Sequence, residues 1–96
     1  MMTLNDTVDL MNSDDYKERF VAEYWQTKIR YEKLKAFNTK IEAAREVALY
    51  PEMPQLAMPK HDCPDNVLRA QQRTMGEYLH MLELRAVIEG IDLEDK

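Results

Sequence analysis

Residues 16 to 48 contain neither glycine nor proline and read as one long helix with two apolar stripes. Phe20, Tyr24, Thr27, Tyr31, Leu34 and Ile41 follow the steps of three, four and seven residues that make a helix-packing seam. Val21, Trp25 and Ile29 form a second line of four-residue steps, about 100° around the same helix. One seam is satisfied by one partner helix. Two seams ask for two partners, and the rest of the chain offers only one other long helix.

That second helix is announced by Asp62-Cys63-Pro64-Asp65, which places proline at the first helical position with a carboxylate on either side. Leu68, Met75, Leu79, Leu82 and Ala86 form its main stripe, and Gly90 is a natural stop. Beyond it, Ile91 and Leu93 are placed to pack back. Ser13, followed by Asp14 and Asp15, suits the start of the first helix, with a hydroxyl cap and acids facing the positive end of the helix dipole. Between the helices, Pro51, Pro54 and Pro59 prevent regular helix. The apolar residues Leu49, Tyr50, Met53, Leu56 and Met58 predict a connection folded back over the hairpin tip.

The expected fold is all-α: an antiparallel two-helix hairpin with long helices over about 14–48 and 64–90 and a Pro-rich connection at 49–62. Residues 13–96 form one domain, preceded at 1–12 by a tail or a short helix. Met11 could itself be a start position. Placing residue 48 beside residue 64 makes paired positions sum to 112. Gly76 then faces Ala36, Trp25 faces Val87, and both helices are over-apolar at the open end. The surplus predicts a homo-oligomeric helical bundle through Val21, Trp25, Ile29, Leu84, Val87 and Ile88. The alternative is an exposed patch on a monomer. Asn38 lies on the seam between Leu34 and Ile41, where a polar residue commonly fixes register, unless the stripe drifts and leaves it at the edge.

Composition narrows the function classes. The net charge of −5 weighs against general nucleic-acid binding. Residues 16–48 nevertheless carry eight bases and five acids, whereas residues 1–15 carry four acids and no base. A phosphate-bearing ligand is therefore sought on the first helix. A single cysteine, Cys63, excludes an internal disulfide and fits a reducing compartment. The absence of a long apolar run or a basic signal-type start points to the cytoplasm and away from a membrane.

No catalytic or metal-binding constellation stands out, and no cofactor is expected. His61, Cys63 and His80 are too few and wrongly spaced for a closed zinc site. There is no phosphate-cradling glycine loop, no nucleophile triad and no HExxH. Pro51-Glu52-Met53-Pro54 fits the bare PxxP form without flanking bases. The one candidate ligand segment is Tyr24, Trp25, Lys28, Arg30 and Tyr31, where rings can stack on a base and cations can hold phosphates. The bland reading makes the tyrosines seam residues, Trp25 an interface anchor and the bases a solvated face. Arg69, Arg73 and Arg85 on the second helix are similar, and Arg85 needs an acidic partner if buried.

Two blocks carry a family resemblance. One is Asp15 to Phe37. The other comprises Cys63-Pro64, Leu68, Gln71, Met75, Tyr78, Leu82 and the run Arg85-Ala86-x-Ile88-Glu89-Gly90-Ile91-x-Leu93. Over a little more than half of its length the chain resembles small phage and prophage proteins named after a gene product of a gut crAss-like bacteriophage. The 38–62 stretch, with its three prolines, departs from the short connection expected of them. The resemblance implies a phage-type gene expressed in the bacterial cytoplasm and supplies no activity.

Three functions follow in order: non-catalytic binding of a host or phage protein, as in a defence antagonist; sequestration of a nucleotide-derived signal between subunits; and nucleic-acid binding along the basic first helix. An enzyme comes last.

Overall fold

The computed structural model describes residues 2–94, and among these there are three helices and no strand. Helix α1 spans Leu4–Met11, α2 Tyr16–Ala48 and α3 Asp65–Glu89. The long helices α2 and α3 pack as an antiparallel hairpin in a body of 56 × 25 × 24 Å, and α1 packs on α2.

The N-terminal segment is a short helix because it is capped. Thr3 Oγ1 accepts from Asp6 N at 3.2 Å while Asp6 Oδ2 accepts from Thr3 N at 2.9 Å, a reciprocal box that satisfies two helix-end donors. The same bonds hold the Asp6 carboxyl below the usual carboxylate range. Thr7 is fully buried; its hydroxyl donates to Leu4 O and accepts from Gln26 Nε2 at 3.1 Å. Ala22, also fully buried, lies one helical turn from Gln26 on α2. Val21 of the second apolar stripe lines a cleft with Leu10 of α1 and with Gly90 and Ile91, so part of that stripe has neighbours inside the chain. Ser13 does not cap α2; Asp15 does, accepting from Lys17 N at 3.0 Å, while Ser13 Oγ accepts from Asp15 N.

The core lies at the open end of the hairpin. Phe20 and Tyr24 of α2 meet Leu79, Leu82 and Ala86 of α3, with Ile91 closing the cluster. Gly90 takes φ +69°, the left-handed stop that side chains resist, and Ile91 N donates back to Ala86 O at 2.8 Å. The chain beyond it returns to α2, where Trp25 Nε1 donates to Leu93 O at 2.9 Å.

The register differs from the expected one. Tyr24 faces Glu83 and Tyr31 faces Gly76, each pair summing to 107 rather than 112. Gly76 therefore meets Tyr31 in place of Ala36, and Trp25 meets the C-terminal segment in place of Val87, which is 82 % exposed. The connection causes the shift. It turns back along α2 far enough for His61 to stand edge-on to Phe37, so α3 starts with Asp65 paired to Arg45. Gln55 Nε2 pins the turn, lying 2.9 to 3.2 Å from the carbonyls of Val47, Met53 and Tyr50. The side chains of Leu49, Tyr50, Met53, Leu56 and Met58 remain exposed rather than covering the tip. Asn38 is buried on the seam and donates from Nδ2 to Leu68 O and Gln72 Oε1, which ties it to this one register.

Two tyrosines add further polar ties across the hairpin. Tyr24, 5 % exposed, donates its hydroxyl to Glu83 Oε2 at 2.9 Å. Burial, then the neighbouring Glu83 carboxylate, pushes its pKa up to about 12 from 10.0. Tyr78 donates to Glu23 on the other side and is also raised. A folded-state value above the unfolded one means that the stabilisation is complete below pH 10 and is lost as pH rises from 10 through about 12. Thermal melts followed by circular dichroism should show Tm falling steeply across that window, and the fall should be shallower in Tyr24→Phe. An unchanged slope in Tyr24→Phe would exclude Tyr24 as a contributor.

Candidate functional site

The structure divides the five sequence-selected ligand residues between two sides of the hairpin. Tyr24, Trp25 and Lys28 stand together: the two rings meet edge-on at 5.5 Å, and Lys28 Nζ lies 5.8 and 5.9 Å from their centroids. Lys28 Nζ also approaches Tyr24 Oη at 3.5 Å. These groups satisfy one another, and Tyr24 is part of the core. Tyr31 belongs to the same side, a turn further on. Arg30 projects on the opposite side, where it lines shallow clefts with Thr27 and Tyr78. Of the residues selected for assembly, Val21, Trp25 and Ile29 are half-buried within the chain, whereas Leu84, Val87 and Ile88 are exposed.

Tyr31 opens onto an open trough of about 800 Å³ between it and the outer side of α3. Arg69, Gln72, Arg73, Gly76, Glu77, His80 and Met81 complete its lining. The 3.6-residue repeat explains why these residues converge: Arg69, Arg73, Gly76, His80 and Glu77 follow three- and four-residue steps along one flank of α3. Gly76 stands at its centre, close against Tyr31. A Cβ there would lie 3.2 Å from Tyr31 Cε1, so the missing side chain lets the tyrosine ring settle against the helix and form one wall.

The groove is electropositive, with two arginines, Arg69 and Arg73, against one glutamate, Glu77. Arg73 makes no ion pair among the described residues. Arg69 makes only a long contact, 3.9 Å, to Asp65, its own side chain being 63 % exposed. Asp65 is served first by Arg45, whose guanidinium holds that carboxyl below its usual range. Both groove arginines are thus available to an anion, beside an aromatic face suited to a flat ring. Gln72 joins the groove to the core by accepting from Asn38 Nδ2 at 2.9 Å.

Arg85 is solvent-facing and needs no buried partner. It pairs with Glu89 at 3.2 Å, donates to Tyr16 Oη at 2.5 Å and covers the Phe20 ring at 5.0 Å. His61, Cys63 and His80 do not assemble; among the described residues no group of three or more His, Cys, Asp or Glu is arranged for a metal ion. No helix of the described residues is long and apolar enough to cross a membrane.

In the sequence Arg69 and Arg73 stand with Arg85 as second-helix bases, and His80 is a candidate only as a metal ligand. Their common flank opposite the Leu68–Leu79–Leu82 stripe was the available signal. Tyr31 as the opposite wall depends on the register.

A helical hairpin with an open, arginine-bearing, aromatic-walled groove defines a binding protein of the all-α class. A family model described as Sequestin matches residues 14–88, more than three quarters of the chain, and the protein belongs to that family. No curated protein and no solved structure matches.

Proposed function

We propose that this protein sequesters a small phosphate-bearing ligand of nucleotide type, without chemically changing it, in the groove between Tyr31 and α3. The carrying observation is the pair of arginines, Arg69 and Arg73, one helical turn apart beside the Tyr31 ring and unclaimed by close ion pairs. The family description, Sequestin, supports a holding rather than a converting role. It moves sequestration ahead of the protein-binding reading that sequence alone puts first. Guanidinium groups bind phosphate oxygens in a fixed fork, and a tyrosine face accepts any base without regard to sequence. The Tyr24–Trp25–Lys28 cluster lies on the same side and would border a larger ligand.

The biological setting we infer is that of a phage or prophage protein acting in the bacterial cytoplasm as a homo-oligomer, withdrawing a host immune signal. Antagonism of a host protein is the second reading. It is favoured by the exposed apolar connection, where Leu49 is 71 % and Leu56 53 % exposed. Nucleic-acid binding along α2 stands third.

A thermal-shift and calorimetric screen against cyclic di- and trinucleotides and ADP-ribose derivatives tests the proposal. A member of the panel should raise Tm and bind stoichiometrically, and mass spectrometry should recover it intact after the protein is denatured. Silence across the panel, or recovery of a cleaved product, would overturn it.

A further inference from the structure

Asn38 and Gln72 form a chain of two amides between the hairpin seam and the groove, and its polarity is set from the buried end. Asn38 is 7 % exposed, and its Nδ2 stands 3.2 Å from Leu68 O and 2.9 Å from Gln72 Oε1. A main-chain carbonyl can only accept, so Leu68 O holds the Asn38 amide with its nitrogen toward α3. The reverse orientation would set Oδ1 against that carbonyl oxygen. With Nδ2 donating, the Gln72 atom that faces it has to be the acceptor Oε1. Gln72 Nε2 is left as the free end.

That nitrogen has no hydrogen-bond partner among the described residues. It is not a buried orphan either: among the described residues the one buried side-chain nitrogen or oxygen without a partner is Asn38 Oδ1. Gln72 lines the groove, so its NH₂ group opens onto it. Arg69, Gln72 and Arg73 stand three and four residues apart, and their side chains therefore share one patch of α3. Two guanidinium forks with a neutral amide beside them offer an anion donors only. Glu77, the carboxylate of the groove, lies one turn beyond Arg73.

We propose that Gln72 is a third anion-binding group, its Nε2 donating to a non-ester phosphate oxygen held by Arg69 and Arg73, and that Asn38 is the positioning residue that turns this donor outward. The inference rests on the groove reading above and places the phosphate end of the ligand at residues 69–73, away from Glu77. A glutamine free to rotate would offer an anion its carbonyl oxygen as readily as its nitrogen. Asn38 removes that choice before the ligand arrives, which lowers the ordering cost of binding. The cost appears instead at Asn38, whose own Oδ1 is buried without a donor.

Calorimetric titration with inorganic pyrophosphate is the test, with circular dichroism to confirm that each variant is folded. Gln72→Leu should weaken binding about tenfold or more, the effect of one hydrogen bond to a charged group. Gln72→Glu, which sets a carboxylate oxygen where the amide nitrogen was, should weaken it about 100-fold or more. Asn38→Ala should weaken it about 2–10-fold, the cost of ordering a freed side chain, and this loss should vanish when Asn38→Ala is added to Gln72→Leu. A purely structural Asn38 would give the same loss in both backgrounds. Gln72 is only half-buried, so its two variants decide the matter even where Asn38→Ala fails to fold. No pyrophosphate binding by the unmodified chain, unchanged affinity in Gln72→Glu, or an Asn38→Ala loss that persists beside Gln72→Leu would overturn the proposal. Gln72-dependent pyrophosphate binding with a silent nucleotide screen would retain this site and remove the nucleotide reading; nucleotide binding indifferent to Gln72→Glu would do the reverse.

Discussion

Leu82→Ala should cost about 2–5 kcal/mol of folding stability and leave a large unfolded fraction at room temperature. Leu82 is 1 % exposed and is enclosed by Phe20, Tyr24, Leu79, Ala86 and Ile91. Truncation removes its transfer free energy and leaves a void that two rigid helices cannot close. A domain of this size holds only about 5–15 kcal/mol in total, so one such loss is a large share of it. Leu84→Ala, two positions along the same helix, should change stability by no more than about 0.5 kcal/mol at dilutions where the chain is monomeric. Leu82→Met, which nearly conserves volume, should cost less than about 1.5 kcal/mol. Urea unfolding followed by circular dichroism would measure all three. Equal losses at 82 and 84 would mean that α3 presents a different face to α2.

The contrast between Leu82 and Leu84 shows how far the sequence was readable. The seam on α2 was legible because Phe20, Tyr24, Thr27 and Ile41 repeat at helical spacing, and these residues are buried. The stop of α3 at Gly90 was legible, but the starts were each displaced: Pro64 is the cap of α3 rather than its first helical residue, and Asp15 rather than Ser13 caps α2. The hairpin register was not legible. It depends on how far the connection travels back along α2, which is set by the Gln55 contacts and by His61 against Phe37 rather than by any periodic pattern. That offset turned an expected Gly76–Ala36 contact into a Gly76–Tyr31 contact, and with it created the groove wall.

The second stripe illustrates a different limit. Counting partners among long helices left Val21, Trp25 and Ile29 without cover. The eight residues of α1 and the segment after Gly90 supply part of that cover, through Leu10 and Ile91 lining a cleft with Val21 and through Leu93 against Trp25. Such short elements carry too little periodicity to be counted in advance. The apolar surplus survives on α3 instead, where Met81, Leu84, Val87 and Ile88 are exposed.

Replacing both groove arginines, as Arg69→Ala with Arg73→Ala, should weaken binding of a phosphate-bearing ligand by about 10²–10⁴-fold while leaving the melting temperature nearly unchanged. Each hydrogen bond to a charged partner contributes about 1.5–3 kcal/mol, and a tenfold change in affinity is about 1.4 kcal/mol. The fold should tolerate the change because Arg69 is 63 % exposed and Asp65 keeps Arg45 as its nearer partner. Arg30→Ala supplies the decisive comparison. Arg30 also lies on the basic first helix, but on the opposite side of the hairpin, with Thr27 and Tyr78. It should leave affinity within about twofold of the unmodified protein, since Arg30 lines other clefts and is absent from the lining of this groove, and exposed charges are screened by salt. Calorimetric titration at two salt concentrations separates the possibilities: affinity should fall with salt in the unmodified chain and in Arg30→Ala, and lose most of that dependence in the double variant. If Arg30→Ala abolishes binding and the double variant does not, the ligand sits on the Arg30 face and the groove beside Tyr31 is not its site.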